Sequence, residues 1–281
     1  MLLALTFGLP LLALGGLVAW RWSDRLAEAA AVRELVRRTG VGQRRFDPAL
    51  VDALPEAARR YFHYTITPGA PLRTAIAIEL SGELGLGTKA KPDYRPIKAH
   101  QVLAPPFGFV WRVRSPVLAG SDGLTADRSW TRFWLFGLLP VARISRHDDH
   151  HRSAFGRLVA EAAFWSPASL LPSEHVRWES VDPDTARAVM RFGGFEQAVD
   201  ISVDEAGQPV RVQIARWSNE NPERVYRLQP FGGYLSAFRD FGGYRLPTRV
   251  EGGNLIGTPD YFTFYRVKVE SLRMLGGELA T

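Results

Sequence analysis

The sequence predicts a mainly β chain of the α+β class: an N-terminal transmembrane helix and stalk, then a strongly curved antiparallel sheet or half-barrel of about ten strands with covering helices. Three observations carry this reading. A charge-free apolar run, Leu2–Trp20, opens the chain. From Leu72 the apolar period changes from helical to two. A single long helical stretch, "SAFGRLVAEAAFWSPASLLP", interrupts the strands, and short turn signals separate most of the rest.

At about 1.5 Å per residue the run Leu2–Trp20 spans nearly 30 Å, the thickness of a bilayer's hydrocarbon core. Pro10 and the Gly15-Gly16 pair weaken a soluble helix yet are tolerated in membranes, and Trp20 and Trp22 occupy the interfacial positions. Residues 1–22 are therefore expected to form a single-pass anchor in the cell membrane, meeting the lipid bilayer through residues 2–20. A cleaved leader would need a basic start, a shorter apolar core and a small-residue cleavage site. Only "LAEAA" at 26–30 resembles such a site, and it lies beyond Arg21, Trp22 and Arg25. Arginines 21, 25, 33, 37 and 38 follow the span, so the positive-inside rule puts the large domain in the cytoplasm.

Ser23 caps a second helical stretch that runs to Gly40, with acidic residues early and arginines late; residues 23–46 read as a helical stalk. Residues 47–281 read as one β-rich domain. Its first elements are helical, because Asp47-Pro48 and Leu54-Pro55 place proline at first-turn positions. In "LRTAIAIELSGEL", Ile76, Ile78 and Leu80 alternate with Ala75, Ala77 and Glu79, the pattern of a strand with one buried face. Later strands include "FGFVWRVRS", "SWTRFWLFG", "PVRVQIARWS", "YRLPTRVEGG" and "DYFTFYRVKVESLRM". Two "FGGY" copies, 231–234 and 241–244, read as local bends. In the internal helix, with Ser153 as N-cap, Phe155, Leu158, Val159, Ala162 and Trp165 form an apolar stripe. Phe164 lies opposite, so more than one face is expected to be buried, and Pro167 ends the run.

The chemistry is bounded mainly by what is missing. There is no cysteine, which excludes disulfides and thiolate sites. The 35 Lys+Arg against 29 Asp+Glu give a net +6, and lysine occurs only at positions 89, 91, 98 and 268. No ribonucleoprotein or zinc-finger motif turns that basicity into a nucleic-acid partner. No "GxSxG", "GxxxxGK", "HExxH" or helix-opening "GxGxxG" occurs, so no reaction or cofactor is indicated.

Two polar features remain. "RHDDHHR", 146–152, holds three of the six histidines; His147, Asp149 and His151 would share one side of a strand in a metal-like set. Its place just before the Ser153 cap, with Arg146 and Arg152 beside it, favours a solvated polar run and no metal. Glu161, among aromatic residues on the internal helix, is expected either to pair with an arginine of the facing sheet (Arg112, Arg114 or Arg239) or to face a cavity as an acid or base. Among the aromatic residues able to line an apolar ligand cavity, Trp111, Trp134, Trp165, Tyr226 and Phe264 join Glu161 as the candidate ligand-binding set.

The landmarks "LPEAARRYFHYTITPGAP", "GFVWRVR", "GRLVAEAAFWSPASLLP", "VRWESVD", "FRDFGGYRLPTRVEGG" and "YFTFYRVKV" resemble, over about residues 50–273, a bacterial family of unknown function with an N-terminal apolar span and one β-rich domain. By architecture alone the chain is also similar to the half-barrels of LolA-type lipoprotein carriers and mycobacterial lipoproteins, which hold acyl chains between a sheet and its covering helices. That likeness implies a lipid or other apolar ligand and a domain outside the cytoplasm, opposite to the arginine rule. "RHDDHHR" is not among the landmarks, and no catalytic residue carries over. A small-molecule enzyme using Glu161 and an envelope scaffold stand as the alternative functions.

Overall fold

The computed structural model describes residues 2–39, 42–145, 147–221 and 223–276, with side chains from residue 11 onward. Helix α1 (Leu2–Thr39) is unbroken from the apolar run through the arginine-rich segment. A 3-10 turn, Pro48–Val51, follows, its amide at Ala49 capped by Asp47 Oδ1 at 3.0 Å, and then α2 (Glu56–Thr65) begins after Pro55.

Six strands step outward from the middle of one sheet: β1 (Ala75–Gly85), β2 (Tyr94–Ala104), β3 (Gly108–Arg114), β4 (Leu118–Leu124), β5 (Ser129–Leu135) and β6 (Leu139–Ser145). The long helix α3 (Asp148–Trp165) comes next. Seven strands then return from the opposite edge: β7 (Val176–Asp182), β8 (Thr185–Phe192), β9 (Phe195–Val203), β10 (Pro209–Ser218), β11 (Arg227–Asp240), β12 (Arg245–Asn254) and β13 (Phe262–Leu275). The order is β6-β5-β4-β3-β2-β1-β13-β12-β11-β10-β9-β8-β7, antiparallel throughout. The two meanders meet where β1 pairs with β13. Because β6 and β7 are the two edges, the segment joining them must cross the whole sheet. That segment carries α3, so the topology itself lays this helix over one face.

The sheet is mainly β, curved and open, with thirteen strands instead of about ten. Two strands escape the sequence pattern. β4, "LAGSDGL", holds two glycines and no apolar alternation, and β6, "LPVARIS", is exposed along nearly all its length; both are held by ladder hydrogen bonds to β5. The first "FGGY" is no bend but the middle of β11, where Gly232 and Gly233 pair with Gly253 and Gly252. The second is the β11–β12 turn, with Gly242 and Gly243 at φ 66° and 91°, a region that glycine enters freely.

Alternation divides the side chains between two faces. Ile76, Ile78, Ile97, Leu103, Phe109 and Trp111 join α2 and α3 in the main core on the inner face. Val102, Ala104, Val110 and Trp130 point outward and receive Ala31, Leu35 and Val36 of α1. The segment expected as a stalk is thus packed on the outer face. Among the described residues no helix is long and apolar enough to cross a membrane. The side chains of residues 2–10, half of the expected span, lie outside the description.

Helix α3 starts six residues earlier than the sequence pattern implies. His147, not Ser153, is its N-cap, and Asp148 and Asp149 occupy the first turn, where carboxylates complement the positive end of the helix dipole. "DDHHR" is therefore helix rather than the loop leading to one; Arg146 is outside the described residues. From Ala154 to Trp165 every residue but Arg157 is buried, consistent with a helix packed on several sides.

Candidate functional site

Between α3 and the inner face lies a cavity of about 370 Å³, within the usual range of about 300–1,000 Å³ for small-molecule sites. Its roof is the α3 face bearing Arg157, Ala160, Glu161, Phe164 and Trp165. Trp111 and Phe133 form one wall, and Phe231, Leu235, Val250 and Phe264 the other. Two local devices make the space. On β12, Leu246, Thr248 and Val250 point inward, so the next inward position, Gly252, leaves a gap; a Cβ there would meet only the Gly232 carbonyl oxygen, at 3.8 Å. On β13 the register with β12 slips between Gly252↔Tyr265 and Gly253↔Thr263, leaving Phe264 as an extra residue. This bulge turns Phe264 and Tyr265, neighbours in sequence, both toward the cavity.

One end of the cavity is polar. Arg157 Nε donates to Glu161 Oε1 at 2.6 Å, one helical turn apart, and Arg157 Nη1 donates to Asp122 Oδ2 of β4 at 2.6 Å. The same guanidinium lies 4.6 Å from the Phe109 ring centroid. Burial works against its charge, but Glu161 and Asp122 more than offset this and hold its pKa above the ordinary arginine value. Gln101 of β2 donates to Glu161 Oε2, so both carboxylate oxygens are engaged. Glu161 is thus placed to organise Arg157 rather than to exchange protons with a ligand.

Beside this network, Asp122 Oδ1 accepts from Thr131 Oγ1 at 2.8 Å, and Thr131 Oγ1 also meets His150 Nε2 at 2.9 Å. His150 Nδ1 contacts Ser129 Oγ at 2.7 Å. Since the threonine hydroxyl donates to Asp122, it accepts from a protonated Nε2; in the neutral ring Nδ1 then accepts from Ser129. Burial lowers the His150 pKa, against the pull of Asp122, in keeping with that form.

Arg216 of β10 also lines the polar end. Its Nε donates to the Ser153 carbonyl at 3.3 Å and its guanidinium stands 4.6 Å from the Phe231 ring centroid. Among the described residues no carboxylate lies within salt-bridge distance of it. Burial first, then the nearby Arg157, depresses its pKa to about 10.

Of the six sequence-predicted residues, Trp111, Glu161, Trp165 and Phe264 converge on this cavity. Trp134 does not: it points to the outer face, edge-on to Trp20 of α1 at 5.6 Å. Tyr226 does not either; it is stacked with His147 and Trp217. Alternation on β5 sends Trp134 outward as it sends Phe133 inward, a distinction that the composition of an aromatic-rich strand hides. The expected sheet partner of Glu161 is also replaced. Arg112 faces outward to Glu28, at 3.2 Å, and Arg157 takes its place, a partner signalled by the i,i+4 spacing. Arg216 and Asp122 carry no such signal.

The histidine cluster diverges. His147 stacks on Tyr226, His151 stacks on Phe195 at 4.9 Å between ring centroids, and Asp149 Oδ1 accepts from Trp217 Nε1 at 2.7 Å. Among the described residues no group of three or more potential ligands is placed to hold a metal ion.

A family model described as "Family of unknown function (DUF6544)" matches residues 44–267. The chain belongs to this family. The match takes in the whole cavity, from Leu84 to Tyr265, and omits α1. No curated protein matches the sequence. Among solved structures, the chain is similar to a LolA superfamily protein from Nitrosomonas europaea, with 8% identity and a TM-score of 0.41 over 79% of this chain and 94% of that one. It is also similar to a DUF1329 family protein from Desulfovibrio piger, with 12% identity and a TM-score of 0.44 over 82% and 94%.

Proposed function

We propose that this DUF6544 chain is a membrane-anchored binding protein that holds a lipid or other apolar ligand between α3 and the inner face of the sheet. The cavity carries the reading: aromatic and aliphatic walls, a glycine gap that keeps it open, and polar groups gathered at one end. This is the usual composition of a ligand site, in which apolar surface supplies affinity and a few polar groups set orientation.

Membrane attachment through residues 2–20 is the second part of the proposal. The run carries no charge, and where side chains are described Leu11, Leu12, Leu14 and Val18 of α1 are exposed. An apolar helix surface left uncovered calls for lipid or a partner. Nothing comparable supports a nucleic-acid partner.

Native mass spectrometry of the full chain after gentle extraction tests the binding. A bound apolar molecule, or uptake of an added apolar fluorophore in stoichiometric amount, is expected. Repeated recovery of a ligand-free protein that takes up no fluorophore would overturn the proposal. Reporter fusions at residue 281 report which side of the membrane bears the domain.

A further inference from the structure

The cavity has two unlike ends. Arg216 pairs across the β10–β11 ladder with Gln229, whereas Val212 pairs with Gly233 and Leu235 lies two residues further along β11. From the Arg216 row to Leu235 is six residues of strand, about 20 Å. The Leu235 end is closed, since Leu235, Val250 and Trp165 are all buried. The Arg216 end also holds Glu220, whose side chain is 57% exposed and turned to Arg224 at 3.3 Å, so this end is the mouth.

Two cations line the cavity, and their circumstances differ. Arg157 is shared by two carboxylates and stacked on Phe109. Arg216 has lost much of its hydration, uses Nε on a backbone carbonyl, and has no carboxylate within reach among the described residues. Its terminal nitrogens donate no charge-assisted bond to the described residues, although a guanidinium fork matches the two oxygens of a carboxylate or phosphate. An acceptor arriving with the ligand completes this site.

We propose that Arg216 is the head-group receptor of the cavity, and that the ligand is a single-chain amphiphile with an anionic carboxylate or phosphate head at the mouth and its apolar chain directed toward Leu235 and Trp165. This rests on the reading of the cavity as an apolar binding site and adds the class and direction of the ligand. The Arg157–Glu161–Asp122 network sets the edge of the polar zone. Arg216 itself stays protonated at neutral pH, since its depressed pKa is still about 10, and no described residue occupies its fork.

The test is displacement of an apolar fluorophore from the full-length protein by palmitate, hexadecyl phosphate and hexadecanol, for wild type, Arg216→Gln and Arg216→Lys. Wild type is expected to bind at least one of the two acids about tenfold or more tighter than the alcohol. Arg216→Gln brings acid and alcohol to within about twofold of each other while leaving hexadecanol affinity unchanged, and Arg216→Lys, which keeps charge but loses the fork, falls between. Preference for only one acid identifies the head as carboxylate or phosphate. Equal binding of acids and alcohol by wild type, or an acid preference that survives Arg216→Gln, overturns the head-group assignment alone. Failure of all three compounds to displace the fluorophore overturns the cavity reading and this inference with it. Should Arg216→Gln not fold, the wild-type ratio and its shift in Arg216→Lys decide the assignment in its place.

Discussion

Asp24 of α1 accepts a bidentate pair from Arg143 of β6, at 2.7 and 3.0 Å, while Arg132 of β5 approaches the same carboxylate at 3.1 Å. One turn later, Glu28 accepts from Ser121 at 2.6 Å and from Arg112 at 3.2 Å. Two buried acids, four residues apart, thus fasten the helix that carries the apolar run to the outer face of the sheet. Asp24→Ala strands two arginines, one of them partly exposed, and is expected to cost about 2–4 kcal/mol. Chemical denaturation measures the loss, and limited proteolysis should show residues 21–36 released before the sheet unfolds.

Glu161→Gln removes one of the two anions on Arg157 but keeps the side-chain volume. The expected cost is about 1–3 kcal/mol of stability with the fold retained. Glu161→Leu also strands the Gln101 amide and should cost more. Denaturant midpoints at constant m-value rank the two.

Gly252→Leu places a side chain in the cavity without disturbing backbone, because the Cβ position is open. Apolar-probe affinity is expected to fall at least about tenfold, with stability altered by less than about 1.5 kcal/mol. On the facing strand Gly232→Ala is the contrasting control: its Cβ would lie 2.1 Å from the Val212 carbonyl oxygen, so this variant should fail to fold.

Trp134→Leu should show the opposite division. The indole is fully buried on the outer face against Trp20 and under Arg143, so truncation is expected to cost about 2–4 kcal/mol while leaving ligand affinity unchanged. Loss of ligand with stability intact would refute the placement of Trp134 outside the site.

His150 makes stability depend on pH. Its folded pKa lies below the ordinary 6.5 because burial disfavours the charged form, so above pH 6.5 it is neutral folded or unfolded and adds no pH dependence. As pH falls below 6.5 the unfolded chain takes up a proton that the folded one refuses, and stability declines by up to about 1.4 kcal/mol per pH unit until the folded pKa is reached. His100 and His151 are lowered for the same reason and act in the same direction. Denaturation midpoints between pH 7 and 5 should therefore fall, and His150→Gln should flatten that slope while lowering stability at pH 7.

The class of the fold and most of its elements follow from local sequence pattern alone. Period-two alternation, as in Ile76, Ile78 and Leu80, needs only local geometry, and the proline and glycine punctuation around α2 and the β11–β12 turn acts through φ alone. β4 and β6 were hidden because they are strands through ladder pairing with β5, not through side-chain pattern. The start of α3 is hidden in the sequence because two aspartates and an N-cap histidine resemble a loop until the helix dipole they complement exists. Trp111, Glu161, Trp165 and Phe264 were legible as a set because aromatic content and one buried acid are visible in the chain. The assembled fold sets that Trp134 faces away, that Arg157 answers Glu161, and that of the two cavity cations Arg157 has carboxylate partners while Arg216 has none among the described residues. Those outcomes depend on which face each strand presents after β1 and β13 join, a long-range pairing that no local stretch of sequence encodes.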